Sequence, residues 1–230
     1  MEPIATMYSR REVLRNMALC IAMSALSPAI RSGRAFAEPD MQRGKRGIFK
    51  LNGHVTVNGK NAAPDQPIRP GDELLTGPRS SLTFTMGRSA YLVRASTRLL
   101  LERNSDENIV HRLFSGGFLA VFGGGTKKIV TPNAIAGVRG SGVYTEIMGD
   151  LSYICLCYGE IELRGINDAM PLKSFRTKHH DQPHYIGVKD GITEITKAPM
   201  LNHSDNELIM LESLVGRVPP FYDPAENSAY

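Results

Sequence analysis

Cys155, Cys157, His179, His180, Asp181 and His184 are the residues of this chain with ligand or nucleophile chemistry within a short span. Thiolates and imidazoles together suit zinc or copper, so Cys155, Cys157, His179, His180 and His184 form a candidate metal set. Other metal or organic cofactors have no motif here. The alternative assigns the C-x-C pair to two small residues of a strand core and HHDQPH to an exposed turn. Two thiols spaced i, i+2 on a strand share a face with Cα atoms roughly 6.5 to 7 Å apart, at or beyond the comfortable span of a disulfide. A Cys/His nucleophile would need a depressed thiol pKa. With no electropositive helix terminus expected beside the strand, none is predicted, and no catalytic residue is assigned.

The elements that must position these residues are short β-runs cut by Gly, Pro and Asn. They include Phe49 to Asn52, His54 to Val57, a hairpin of Ser81 to Met86 with Ala90 to Val93, and Thr97 to Glu102. Asn58-Gly59 is a turn signal, and Asp72 in the Gly71-Asp72 turn can bond nearby backbone amides. Leu113 to Phe122 is the apolar centre, and Gly123-Gly124-Gly125 closes it without the G-K-[ST] ending of a phosphate cradle. From Leu151 to Tyr158 both alternating faces are apolar: Leu151, Tyr153, Cys155 and Cys157 on one, Ile154, Leu156 and Tyr158 on the other. That predicts a strand buried on both sides, with Gly159 as a bulge. The spacing argues an all-β fold, a sandwich, jelly-roll-like sheet or β-coil, with one short C-terminal helix near 205–215. Ser204 and Glu207 read as its capping box, Leu208, Leu211 and Val215 as its buried face, and Gly216 as its stop.

The net charge of +4 is mostly local, because five arginines face only Glu2 and Glu12 in residues 1–37 and the rest of the chain is nearly neutral. Such a body lacks the electrostatic footprint of a nucleic-acid binder. The leader itself runs from Arg10 and Arg11 through an apolar stretch, Met17 to Ile30, to Ala35-Phe36-Ala37, the order of an export signal with a small-x-small cleavage site. This predicts a mature chain beginning at Glu38, with no transmembrane segment. SRREVLR resembles the bacterial twin-arginine signal, which implies export after folding and a periplasmic location.

G-x-V-x-x-N-G, GDELLTG, SGGFLAVF and TPNAIAGVRGSGVY together resemble the FecR-type periplasmic domain over roughly 47–163. The most specific part is Gly137 to Val143, carrying Gly137, Arg139, Gly140 and Gly142. The resemblance implies an all-β, non-enzymatic module of cell-surface signalling. The expected organisation is an export signal at 1–37, a linker at 38–46, the FecR-like domain at 47–163 and an extension with strands and the helix at 164–230. The first functional expectation is a periplasmic binding or sensing module for a protein or envelope partner; the second is a periplasmic metal-binding protein. Arg139 is expected to bond backbone carbonyls of its own domain, with a clamp for a partner strand as the alternative. Oligomeric state is not encoded in any feature above.

Overall fold

Turns at short intervals divide the residues described in a computed structural model, 47–104, 109–180 and 182–223, into fifteen strands and one helix. Arg10, Arg11, Ala35 and Ala37 of the leader, Asp181 and the tail from Pro224 lie outside the described residues. The strands are β1 (Gly47–Asn52), β2 (Val55–Val57), β3 (Lys60–Asn61), β4 (Glu73–Thr76), β5 (Ser81–Met86), β6 (Ser89–Val93), β7 (Arg98–Arg103) and β8 (Ile109–Ser115). They continue with β9 (Gly117–Val121), β10 (Thr126–Val130), β11 (Ala134–Met148), β12 (Leu151–Gly165), β13 (Lys173–Thr177), β14 (Gln182–Lys189) and β15 (Ile192–Lys197). The helix, α1, is Asp205–Leu214. Among the described residues, no helix is long and apolar enough to cross a membrane.

The fold is all-β, and its strands join into one hydrogen-bonded sheet in the order β1-β5-β6-β9-β11-β10-β8-β7-β4-β2-β3. Ile48 from the first strand of that path and Val55 and Val57 from near its other end enter the same buried cluster, so the sheet curls around a single main core. The Asp72 turn forms as its sequence implies: Asp72 accepts the Arg69 amide at 2.7 Å and the Asn58 side-chain amide at 2.8 Å. Most pairings are antiparallel, but β10 runs parallel to β8, a long-range pairing that no local hairpin signal marks. β12 continues to Gly165 and pairs with β13 and β14, so residue 163 lies inside a strand and the strands beyond it extend the same sheet.

β11 and β12 form the long hairpin that links the halves. One face of β12 sends Ile154, Leu156, Ile161 and Leu163 into the main core. The other sends Tyr153, Cys155, Cys157 and Tyr158 into a second cluster with Tyr144 and with Leu208 and Leu211 of α1. Burial on both sides is thus the observed state of this strand, although Leu151 at its start is exposed. Tyr158 does not share the face of Ile154 and Leu156 as simple alternation predicts. The register runs Val143 opposite Leu156, then Gly142 opposite Tyr158, then Arg139 opposite Glu160. One extra residue on β12 and one on β11 therefore make compensating bulges, and Tyr158 turns toward the helix.

The helix sits where its cap signal places it. Glu207 accepts the Ser204 backbone amide at 3.0 Å, and Gly216, with φ of 70°, ends it. Arg94 at the end of β6 grips the same Glu207 with both guanidinium nitrogens, at 2.7 and 2.8 Å.

In the main core His111 is fully buried. Its Nδ1 donates to the Lys128 carbonyl at 3.3 Å and its Nε2 accepts the Tyr91 hydroxyl at 3.0 Å. Burial pushes this imidazole down from 6.5 to about 4. The unfolded chain therefore takes up a proton below pH 6.5 that the folded chain refuses until about pH 4, and stability falls as pH drops through that window, by about 3 kcal/mol in all. Melting curves between pH 7 and pH 4 should show this slope, and His111→Gln should flatten it; an equal slope in the variant would contradict the assignment.

Candidate functional site

Strand alternation points Cys155 and Cys157 to the same side of β12, the side covered by the segment that leads into α1. The turn after β13 brings His180 onto that side, tied down by its backbone amide donating to the Cys157 carbonyl at 2.9 Å. The chain then returns after β15, where the Tyr153 hydroxyl donates to the Pro199 carbonyl and accepts the Leu201 amide, both at 3.0 Å. This fastening delivers His203, whose ring stacks on Tyr144 with centroids 4.8 Å apart. The Cys155 and Cys157 thiols and ring nitrogens of His180 and His203 all lie within 4.8 Å of one another.

Cys155 Sγ is 3.7 Å from His180 Nδ1, and His180 Nδ1 is 3.1 Å from His203 Nε2. On the far side, His180 Nε2 donates to Asp205 at 2.9 Å, and His203 Nδ1 donates to the Leu201 carbonyl at 2.6 Å. The Cys155 thiol is pulled down to about 3, first by the hydrogen bond from the Cys157 thiol, against the opposing effect of burial, and then by His180 and His203. Cys157, fully buried, is pushed up by loss of solvent and by the neighbouring thiolate. Burial disfavours a charged His180, but the Cys155 thiolate and the Asp205 carboxylate outweigh it and raise its pKa. Two imidazoles, of His180 and His203, stand against the thiols, a pairing the sequence reading did not foresee. The two cysteines are free thiols, each buried.

The other candidates separate. His179 lies on the outer side of Asp205, with Nε2 2.9 Å from its carboxylate, and stacks on Phe221 at 4.3 Å. His184 is opposite Ile154 in the β12–β14 register and so faces away from Cys155; its Nε2 is 2.6 Å from Lys173 Nζ and its ring packs on Phe175. It does not belong to the cluster, and burial together with Lys173 lowers its pKa. His203 and Asp205, which the sequence reading missed, complete the group instead. Their signal was the predicted helix cap: a helix packed on the β-body must set the residues around Ser204 on some strand.

The glycine-rich element has a second role farther along the same outer face of the hairpin. Arg139 is exposed and its guanidinium makes no hydrogen bond or ion pair among the described residues, so the expected bonding to carbonyls of its own domain is not what it does. Beside it a groove of about 360 Å³ is lined by Lys127, Lys128, Ile135, Gly137, Glu162 and Arg164, with Ala169 and Pro171 as a wall. Gly140, with φ of 53°, forms the bulge between Arg139 and Gly142.

No protein-family model matches the chain, and no curated protein matches it. Among solved structures, two crystal structures described as a "putative anti-sigma factor" from Parabacteroides distasonis ATCC 8503 are similar at 14% and 12% identity, each with a TM-score of 0.43. Each alignment covers 54% of this chain and 59% of the other, so this chain spans about three fifths of their length. A likeness of this size speaks to neither family nor function.

Gly142 touches the site from behind. A Cβ there would stand 2.5 Å from the Tyr158 ring and 3.1 Å from Leu208, whereas one on Gly137 would meet only Glu162 Cβ at 4.0 Å. Gly142→Ala should therefore lower stability by about 1–3 kcal/mol through overpacking under α1, while Gly137→Ala should leave it unchanged or slightly raised. Chemical denaturation of both variants checks this pair, and equal effects would contradict the close-approach account.

Proposed function

We propose that this chain is a non-catalytic binding module of the FecR type that engages an acidic segment of an envelope protein on the outer face of β10, β11 and β12. Export through the leader bearing Arg10 and Arg11, with cleavage after Ala37, would deliver it to the periplasm. The observation that carries the reading is Arg139: a guanidinium exposed in the most distinctive stretch of the chain, without a partner among the described residues, next to a charged groove. Its neighbours reinforce the field. Among the described residues Lys128 makes no ion pair, Glu160 is held by Arg176, and Arg164 donates to the Asp168 carbonyl, so the cations beside the groove outnumber the free carboxylate, Glu162, among those residues. A planar guanidinium presented this way binds carboxylates with fixed geometry, and charges on an interface rim mainly steer and orient association.

The non-catalytic part of the reading rests on access. Cys155, His180 and Asp205 have the order of a nucleophile, base and orienting acid, yet the Cys155 thiol is fully buried beneath the C-terminal segment. A substrate carbonyl could not approach its sulfur without lifting that segment away.

Mature protein immobilised and exposed to envelope extract should retain a partner in a salt-sensitive manner. The double variant Arg139→Glu, Lys128→Glu should lose at least roughly tenfold in that retention, while Lys60→Glu, exposed on β3 at the far end of the sheet path, should keep it. Retention that is indifferent to the double variant would overturn this face as the binding surface.

A further inference from the structure

The hydrogen bonds around His180 and His203 leave an imbalance at the centre of the cluster. The Leu201 carbonyl can only accept, so the proton of His203 sits on Nδ1 and its Nε2 carries a lone pair. The Asp205 carboxylate likewise fixes a proton on His180 Nε2, which leaves Nδ1 as a lone pair. Those two nitrogens face each other at 3.1 Å, with the Cys155 sulfur 3.7 Å from one of them. Two ring nitrogens whose lone pairs face each other at this distance, beside a sulfur, need a proton or a metal ion between them. A single extra proton on one imidazole is one solution; a metal ion is the other, and it could also take the Cys157 sulfur as a ligand.

We propose that Cys155, Cys157, His180 and His203 form a Cys2His2 site for a soft-to-borderline d10 ion, zinc(II) or copper(I). The ligand types are those of tetrahedral sulfur and nitrogen sites. The ligands come from β12, the turn after β13 and the segment before α1, so the convergence is not a by-product of local sequence. Each histidine has its outward nitrogen anchored, one on a carboxylate and one on a backbone carbonyl, which is the outer-shell arrangement that orients ligating imidazoles and makes them better donors. The set lies in the second hydrophobic cluster, with both cysteines fully buried, so hard oxygen-seeking ions are disfavoured. His179 supports the site only through Asp205, and His184 has no part in it. The inference is independent of the partner-binding reading, since none of the four ligands lines the groove.

The test uses mature protein, reduced, stripped with a chelator and titrated under argon. Zinc(II) is added against a chromophoric chelator and copper(I) against a copper(I)-specific chelator, so the two arms rank the ions. One equivalent of at least one ion should bind. The double variant Cys155→Ser, Cys157→Ser and the single variant His203→Ala should each weaken binding by at least roughly 100-fold. Asp205→Asn should weaken it by about 10–100-fold, and His184→Ala should leave it unchanged. Because ligand variants can fail to fold, cobalt(II) in the unmodified protein supplies a variant-free readout: intense tetrahedral ligand-field bands with a thiolate charge-transfer band are expected. Absence of saturable binding by either ion, a weak octahedral cobalt spectrum, or binding that survives in folded His203→Ala would each overturn the proposal.

Discussion

The strand β12 has no solvent face along its middle, and that constraint organises the molecule. In a pleated strand successive side chains alternate, so a run that is apolar at every position demands a layer on each side. The curled sheet supplies one layer. The other must come from chain that follows, because the earlier strands are already committed to the main core. The segment from 198 onward, ending in α1, meets this demand with Leu208 and Leu211.

Tyrosines rather than phenylalanines line that second layer because the joint must also hold backbone and charge. The Tyr153 hydroxyl fastens Pro199 and Leu201; the Tyr158 hydroxyl donates to Glu212, which Arg217 also holds; and the Tyr144 hydroxyl donates to Glu146, which also accepts Asn202. Burial raises the pKa of all three, so each remains a neutral donor. With the Arg94–Glu207 pair these bonds fix the entry to α1 laterally, where apolar contact alone would let a short helix slide. The same fixing delivers His203 and Asp205 to the thiols, so the polar centre and the clasp are parts of one joint.

Much of this was legible in residue order. The burial of β12 on both sides from Tyr153 to Cys157, the Asp72 turn, the Ser204–Glu207 cap and the Gly216 stop each rest on local physics, and each took the expected form. What local physics does not encode was missed. The paired bulges that turn Tyr158 toward the helix depend on how close β11 comes at Gly142, and the parallel pairing of β8 with β10 joins strands through a crossover. His203 stood outside the cluster drawn from sequence proximity, while His184, near in sequence, falls on the wrong face by one residue of alternation. Arg139 was expected to bond backbone carbonyls of its own domain from a buried or edge position; its exposed guanidinium makes no such bond among the described residues.

The claim that a C-terminal clasp seals the second face of β12 is tested most directly by the rate at which Cys155 and Cys157 react with an excess of a small thiol reagent, in native buffer containing chelator to remove protection by any ion. Modification of both cysteines no faster than global unfolding is the predicted result. Rapid, stoichiometric labelling of either cysteine in the fully folded protein would contradict it.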